Sequence, residues 1–317
     1  MRVQPDGEQA CRIEGQALDF RLAVRGLDAA AVGAFLGGTG SRPEWPGAGG
    51  IAGVSAELLD AGPGSDRAPV ITHEFDDGRL ETRSGGPGRV IALPGYRSAT
   101  HMLPQSLHLL LAQQWAQAGI LTLHSAAVST PQGGVLILGS RGAGKSVLSL
   151  SARAAGLGVV TDDWMLLGRD RQNRIQAERL RAFMMLRQSW AVEELGRRYP
   201  GLSDSRPTRR PKQVIAVPGD NPEFPASTQI DRIWLLRRPR GARSEHSRLT
   251  AVSTAHALGQ LVEASMPLLF STQFDHEHQA LLATARGLIA TARGQTLETG
   301  TDLIEDPKRT WSRLLDA

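Results

Sequence analysis

Eight residues in the middle of the chain have the types and spacing to hold a phosphate group. Gly139-Ser140-Arg141-Gly142-Ala143-Gly144-Lys145-Ser146 follows the apolar run Gly133 to Leu138 and leads into a helix-forming stretch. Its glycines let consecutive backbone amides, with the positive end of the helix behind them, close around a phosphate that no bulky side chain could approach as tightly. Lys145 is spaced to reach the β- and γ-phosphates of a nucleoside triphosphate, and Ser146 to offer its hydroxyl to the accompanying magnesium ion. Composition supports this reading. Of the 36 Lys and Arg residues only Lys145, Lys212 and Lys308 are lysines, so a lysine marks a place where a compact ammonium is wanted instead of a planar guanidinium. Lys212 is thereby singled out too, with an ordinary surface lysine as the equal alternative.

Two further features supply groups for phosphoryl transfer. Asp162-Asp163 closes the short apolar run Val159-Val160-Thr161. Magnesium takes carboxylate oxygen, and a hydroxyl attacking a γ-phosphate needs a base, so paired acids can divide those tasks; a solvated turn or a helix cap is the other reading. Repulsion between neighbouring carboxylates raises the proton affinity of one of them unless a metal offsets it. His124 lies in the apolar run Ile120 to Val128. Taken alone it reads as a core histidine. If that run pairs with the strand entering the glycine loop, the hairpin brings its imidazole toward the transferring phosphate, to orient the base or neutralise charge.

These groups need strands and helices to hold them. Ile120 to Val128 and Val135 to Leu138 read as a tight antiparallel pair around the turn Thr130-Pro-Gln-Gly-Gly134. Lys145 to Ala155 reads as the helix after the loop, stopped by Gly156 and Gly158, and Val159 to Thr161 as a buried strand beside the loop strand. Further strands are expected near Met184 to Leu186, Gln213 to Val217 and Arg232 to Leu236, and from about Thr254 the chain reads as mostly helical. Pro104 to Gly119 carries Leu107, Leu110, Leu111 and Trp115 at helical spacing. Residues 1–103 read as β-rich, with strands over Phe20 to Val24 and Val54 to Leu59, a hairpin at Asp76-Asp77-Gly78, and a mobile loop over Gly37 to Gly53 broken by Pro43 and Pro46. The expected division is an accessory or substrate-contacting region over 1–103 and an α/β catalytic domain with a mixed sheet and a helical C-terminal part over 104–317.

Composition excludes several classes. The chain's 317 residues suffice for one large domain or two smaller ones. The most apolar stretch, Leu107 to Val128, is interrupted by Gln113, Gln114, Gln117 and His124, so no membrane span is expected. Met1 to Glu8 lacks the apolar core of a secretory signal. Cys11 is the single cysteine, which excludes an internal disulfide and suits a reducing cytoplasm. A net charge of +4, spread along the chain, makes no case for nucleic acid or a membrane surface as partner.

Leu121-Thr-Leu-His124-Ser-Ala-Ala-Val128, Gly133 to Ser146 and Val160-Thr-Asp162-Asp163 together resemble the catalytic domain of HPr kinase/phosphorylase and the HPr-kinase-related proteins, in both the His-to-loop and the loop-to-acid spacing. A weaker resemblance extends over Phe183-Met-Met-Leu-Arg187-Gln-Ser-Trp190, Arg210-Pro-Lys212-Gln-Val-Ile-Ala-Val217 and Ile233-Trp-Leu-Leu-Arg237. It implies a P-loop nucleotide fold of the phosphoenolpyruvate-carboxykinase type, and a phosphotransferase that uses ATP and magnesium to modify a hydroxyl, typically serine, of a protein or peptide. Carried over by position, Lys145 holds the β/γ-phosphates, Ser146 and Asp162 the metal, and Asp163 is the favoured base, with the two acids' roles open to exchange. His124 assists at the acceptor, while Arg187, Arg210 and Lys212 are candidate clamps on phosphate or product, or else solvated surface cations. Related enzymes often form oligomers, so a homo-oligomer of no set size is implied.

The chain also departs from that family. The Leu-Glu-Ile-Arg-Gly signature of the true HPr enzymes is missing after Asp163, where Glu178-Arg-Leu-Arg-Ala182 stands. A related kinase acting on another protein or peptide, as the lasso-peptide-tailoring members do, fits better than HPr kinase/phosphorylase itself. Two other functions would use the same residues: a nucleotide-sensing module that binds ATP or GTP and modifies nothing, and a small-molecule kinase or carboxykinase-like enzyme with an arginine-lined pocket.

Overall fold

Short runs rich in Val, Ile, Leu and Thr, punctuated by Gly, Pro and Asp, give the early part of the chain its extended character. The computed structural model describes seven strands before Ile120 and, from Ile120 to Ala317, all but residues 171, 180–182, 188, 200–204, 207–211, 217–223, 238–243 and 266–274. Two compact units emerge, Met1–Ile120 with Phe270–Leu281, and Leu121–Leu269 with Leu282–Ala317. In the first unit β1 (Arg2–Pro5), β2 (Ala10–Glu14), β3 (Asp19–Arg25), β4 (Val54–Leu58), β5 (Val70–Phe75), β6 (Gly78–Arg83) and β7 (Arg89–Ala92) form one antiparallel sheet in the order β1-β2-β3-β4-β7-β6-β5. The expected hairpin joins β5 to β6, with Phe75 opposite Gly78. The loop expected over Gly37 to Gly53 and the helix expected over Pro104 to Gly119 lie outside the described residues.

The second unit is a mixed α/β structure. Its elements are β8 (Leu121–His124), β9 (Ala126–Thr130), β10 (Gly133–Leu138), α1 (Lys145–Ala154), β11 (Gly158–Thr161), β12 (Trp164–Arg169), β13 (Ile175–Arg179), β14 (Phe183–Arg187), α2 (Trp190–Arg198), β15 (Ser205–Arg206), β16 (Lys212–Ala216), β17 (Ser227–Arg237), β18 (Arg248–Ala251) and α3 (Thr254–Ala264). Then come α4 (Asp275–Thr291), which begins in the first unit, β19 (Arg293–Glu298), α5 (Asp302–Glu305) and α6 (Pro307–Asp316). Among the described residues no helix is long and apolar enough to cross a membrane.

The main sheet runs β11-β9-β10-β17-β13-β12-β8. Val135, Leu136, Ile137 and Leu138 of β10 are all fully buried, as a continuous apolar run must be when a strand is covered on both faces. β10 pairs antiparallel with β9 on one side and parallel with β17 on the other. β17 is long enough to serve two partners along its far edge: Ser227 to Gln229 pairs with β13, and Arg232 to Arg237 pairs in parallel with β19, which carries β18. A smaller antiparallel sheet, β14-β16-β15, stands apart from it.

Several expectations are corrected here. Ile120 to Val128 is not one strand: it breaks at Ser125 into β8 and β9. β9 makes the expected hairpin with β10, whereas β8 pairs with β12. The strand Val159 to Thr161 does not lie beside β10, because β9 occupies that edge and β17 the other; β11 therefore joins the outer edge of β9. In the C-terminal third, β19 interrupts the expected helices. Its polar sequence Arg293-Gly-Gln-Thr-Leu-Glu298 buries Gln295 and Leu297 alone, so no apolar run announces it.

The helix behind the glycine loop is held from within. Trp234 of β17 stacks on Trp311 of α6 with ring centroids 5.2 Å apart, and both are buried. The Trp311 indole N–H donates to Ser151 Oγ of α1 at 3.2 Å, and Ser151 Oγ donates to the Leu303 carbonyl of α5 at 2.6 Å. Buried aromatic packing and satisfied hydrogen bonds thus fix α1 against β17, α5 and α6.

Candidate functional site

Gly139 to Ser146 spans the gap from the end of β10 to the first turn of α1. A Cβ on Gly139 would come within 3.1 Å of Leu236 Cβ and 3.2 Å of Ala143 Cβ, so the loop is drawn tightly against β17. Gly142 and Gly144 take φ values of 78° and 109°, where an L side chain is strained. Gly144 is also the residue that caps α1, and having no side chain it leaves the first-turn amides without a side-chain acceptor; no acid lies in that turn. The helix therefore presents its positive end beside the loop with neither a side-chain cap nor a first-turn acid.

Lys145 is buried, at 6% exposure, while Ser140 and Arg141 are exposed and Ser146 is half-buried. Its Nζ donates to the Gly139 carbonyl at 2.7 Å and, less closely, to the Ser140 carbonyl at 3.4 Å. Burial pushes its pKa below the ordinary lysine value, and the negative charges of Asp163 and then Asp162 pull it back up. The loop lysine and the paired acids are thus within electrostatic reach of one another.

Topology explains how the acids come there. β11 pairs with β9 and β12 with β8, so the two chain segments, running antiparallel, pass together from one part of the sheet to the other. Ser125 marks the crossing on one segment and Asp162-Asp163 on the other, after a register shift between Val159 and Thr161. The Asp163 backbone is pinned on both sides: its N–H donates to Thr161 Oγ1 at 3.3 Å, and its carbonyl accepts from the Ser125 N–H at 2.9 Å. Asp162 is buried at 4% exposure, whereas the Asp163 side chain is partly open.

His124 reaches this bend from β8. Its Nε2 lies 3.4 Å from Asp163 Oδ1, an electrostatic contact rather than a short hydrogen bond, and 41% of its side chain is exposed. The pairing that places it is with Trp164 of β12, directly opposite, and not the hairpin with β10. Thr161, Ser125 and Trp164 are site residues that motif spacing does not reveal, because their places depend on where the two segments switch strand partners.

Arg187 ends β14 and Lys212 begins β16, directly opposite each other in the ladder, and Arg210 lies outside the described residues. Among the described residues no group of three or more His, Cys, Asp or Glu could hold a metal ion by itself.

No family model and no curated protein matches the chain. Among solved structures it is similar to the Hpr(Ser) kinase/phosphatase from Coxiella burnetii, with 18% identity, a TM-score of 0.26, and coverage of 41% of this chain and 72% of that one.

Proposed function

We propose that the chain is a cytoplasmic kinase that uses ATP and magnesium to phosphorylate a hydroxyl, that of serine, on a protein or peptide, with a nucleotide fold akin to that of HPr kinase. The observation that carries the proposal is that Lys145, at the uncapped start of the helix, lies within electrostatic reach of Asp163 and Asp162, and that Asp163 in turn meets His124 at the bend of the sheet.

The residues present fit the nucleotide and its metal. The close approach at Gly139 and the left-handed backbone at Gly142 and Gly144 leave a cradle in which a Cβ would be crowded or strained, and whose amides suit phosphate oxygens. Ser146 and Asp162 offer a hydroxyl and a carboxylate, the hard oxygen donors that magnesium accepts when phosphate and water complete its shell. Bound ATP and magnesium would supply the phosphoryl group and offset its charge.

The chain's own side chains would then do the following. Lys145 turns from the Gly139 carbonyl to the β/γ-phosphate oxygens, with Arg141 exposed at the loop tip and Arg187, Arg210 and Lys212 as further cations for phosphate or product. Asp163 takes the proton of the acceptor hydroxyl as its oxygen bonds to the γ-phosphorus and the bond to the β–γ bridging oxygen breaks. His124, beside Asp163, holds that carboxylate in line and meets the acceptor from the exposed side. Catalysis on this scheme is positioning and charge stabilisation.

The test is transfer of label from γ-labelled ATP, with magnesium, to a serine-centred peptide library, with Asp163→Asn and Lys145→Ala proteins beside the parent. Label should reach serine with the parent protein and be lost in both variants. ATP binding with no labelled acceptor would leave the chain a nucleotide-sensing module and end the kinase reading.

A further inference from the structure

Among the described residues, Trp164 makes a ring contact with His124 at the site. It begins β12 immediately after Asp163, stands opposite His124 across the β8–β12 ladder, and has its ring centroid 5.1 Å from that of the imidazole at an interplanar angle of 47°. Cross-strand neighbours on one face of an antiparallel pair interact strongly enough to bias each other's rotamers, and tilted aromatic pairs at this separation are attractive.

His124 needs such a restraint. With 41% of its side chain exposed and a contact of only 3.4 Å to Asp163, the imidazole is free to leave the carboxylate by rotation about its side-chain torsions on the picosecond to nanosecond scale of exposed side chains. The Asp163 backbone is held by Thr161 and Ser125, and its side chain is less exposed than that of His124, so the ring is the less restrained partner of the pair.

Resting on the function proposed above, we propose that Trp164 is a positioning residue that holds the His124 imidazole against Asp163, so that the base and its partner are preassembled before the acceptor arrives. Trp164 acts through His124 and bonds neither nucleotide nor acceptor. The attraction of an aromatic pair corresponds to about a 3- to 10-fold change in the population of the aligned ring, and turnover follows that population.

Trp164→Phe keeps an aromatic face, and Trp164→Leu keeps apolar bulk without one. Histidine-ring NMR signals and turnover on a serine-centred peptide library, with ATP and magnesium, are measured for both. In Trp164→Leu the His124 ring signals should move toward those of an exposed histidine such as His256, and kcat should fall about 3- to 10-fold with the KM for ATP unchanged. Trp164→Phe should restore both. Unmoved His124 signals in Trp164→Leu, or a Phe variant as impaired as Leu, would overturn the proposal. The NMR arm needs no substrate, so a parent protein that fails to phosphorylate the library refutes the kinase reading while the orienting role of Trp164 is still decided.

Discussion

The Lys145 ammonium donates to the carbonyl of Gly139, six positions earlier in the same loop, at 2.7 Å. A cation folded onto its own loop is held where a phosphate would have to displace the carbonyl, and it is charged at a cost, because burial lowers its pKa. Exchanging a carbonyl for phosphate oxygen replaces a modest partner with a charged one, and hydrogen bonds to charged groups contribute about 1.5–3 kcal/mol. Lys145→Ala should weaken ATP binding about 10- to 100-fold, read by calorimetry, and shrink the rise in Tm that ATP produces in the parent. An unchanged Kd would remove the loop from nucleotide binding.

Asp163 and His124 should behave as a coupled pair. If Asp163 takes the acceptor proton, Asp163→Asn lowers kcat by about 100- to 10,000-fold while ATP still binds. His124→Ala, which leaves the base itself in place, lowers kcat less. In the double variant the two effects should fall short of additivity, because His124 acts through the carboxylate that is already gone. Full additivity would mean that the imidazole works on something else.

What could be read from the chain divides according to how local its cause is. The glycine loop and its helix are legible because Gly139, Gly142 and Gly144 are demanded by backbone geometry inside one short segment. The strand Val135 to Leu138 is legible because burial on both faces needs a continuous apolar run. The position of His124 was not legible by the same means. Its neighbour depends on whether β8 continues into the β9–β10 hairpin or breaks at Ser125, and nothing in Leu121-Thr-Leu-His124-Ser-Ala-Ala-Val128 distinguishes one long strand from two short ones. The order of β11 and β9 is a competition between edges of β10, settled by a residue run as distant as Ile230 to Leu235.

The turn that launches β10 is built on Gly133, whose φ is 110° and whose Cβ, if present, would lie 1.8 Å from Asp231 Oδ2. Thr130 Oγ1 donates to the Gly133 carbonyl at 2.6 Å, closing the turn, and Asp231 is held by the amide of Gln229 at 2.8 Å. Gly133→Ala meets two penalties, the left-handed backbone and the carboxylate, and should lower stability by about 1–3 kcal/mol in urea unfolding with an unchanged m-value. In an Asp231→Ala background the steric part is relieved and the backbone part remains, so the loss there should be smaller and still measurable. An equal loss in both backgrounds would show that the carboxylate yields at no cost.

Acid sensitivity has an identifiable source on α2. Glu194 accepts hydrogen bonds from Arg197 Nη2 at 2.6 Å and Arg198 Nε at 2.6 Å, and those side-chain bonds, Arg197 first, hold its pKa down from 4.5 to about 2. A carboxylate whose folded-state pKa is depressed adds stability that is complete above its unfolded value and disappears as pH falls toward the folded one. The contribution of Glu194 is therefore fully present above about pH 4.5 and lost as pH falls through about 2. Arg198 also reaches the Glu305 carbonyl at 3.4 Å, so the same group steadies the approach of α2 to α5. Glu194→Gln, which cannot change charge, should unfold at lower urea than the parent at pH 6, and the gap between the two should close steadily from pH 4.5 downward. A gap that stays constant from pH 6 to pH 3 would mean that the arginines recognise the shape of residue 194 and not its charge.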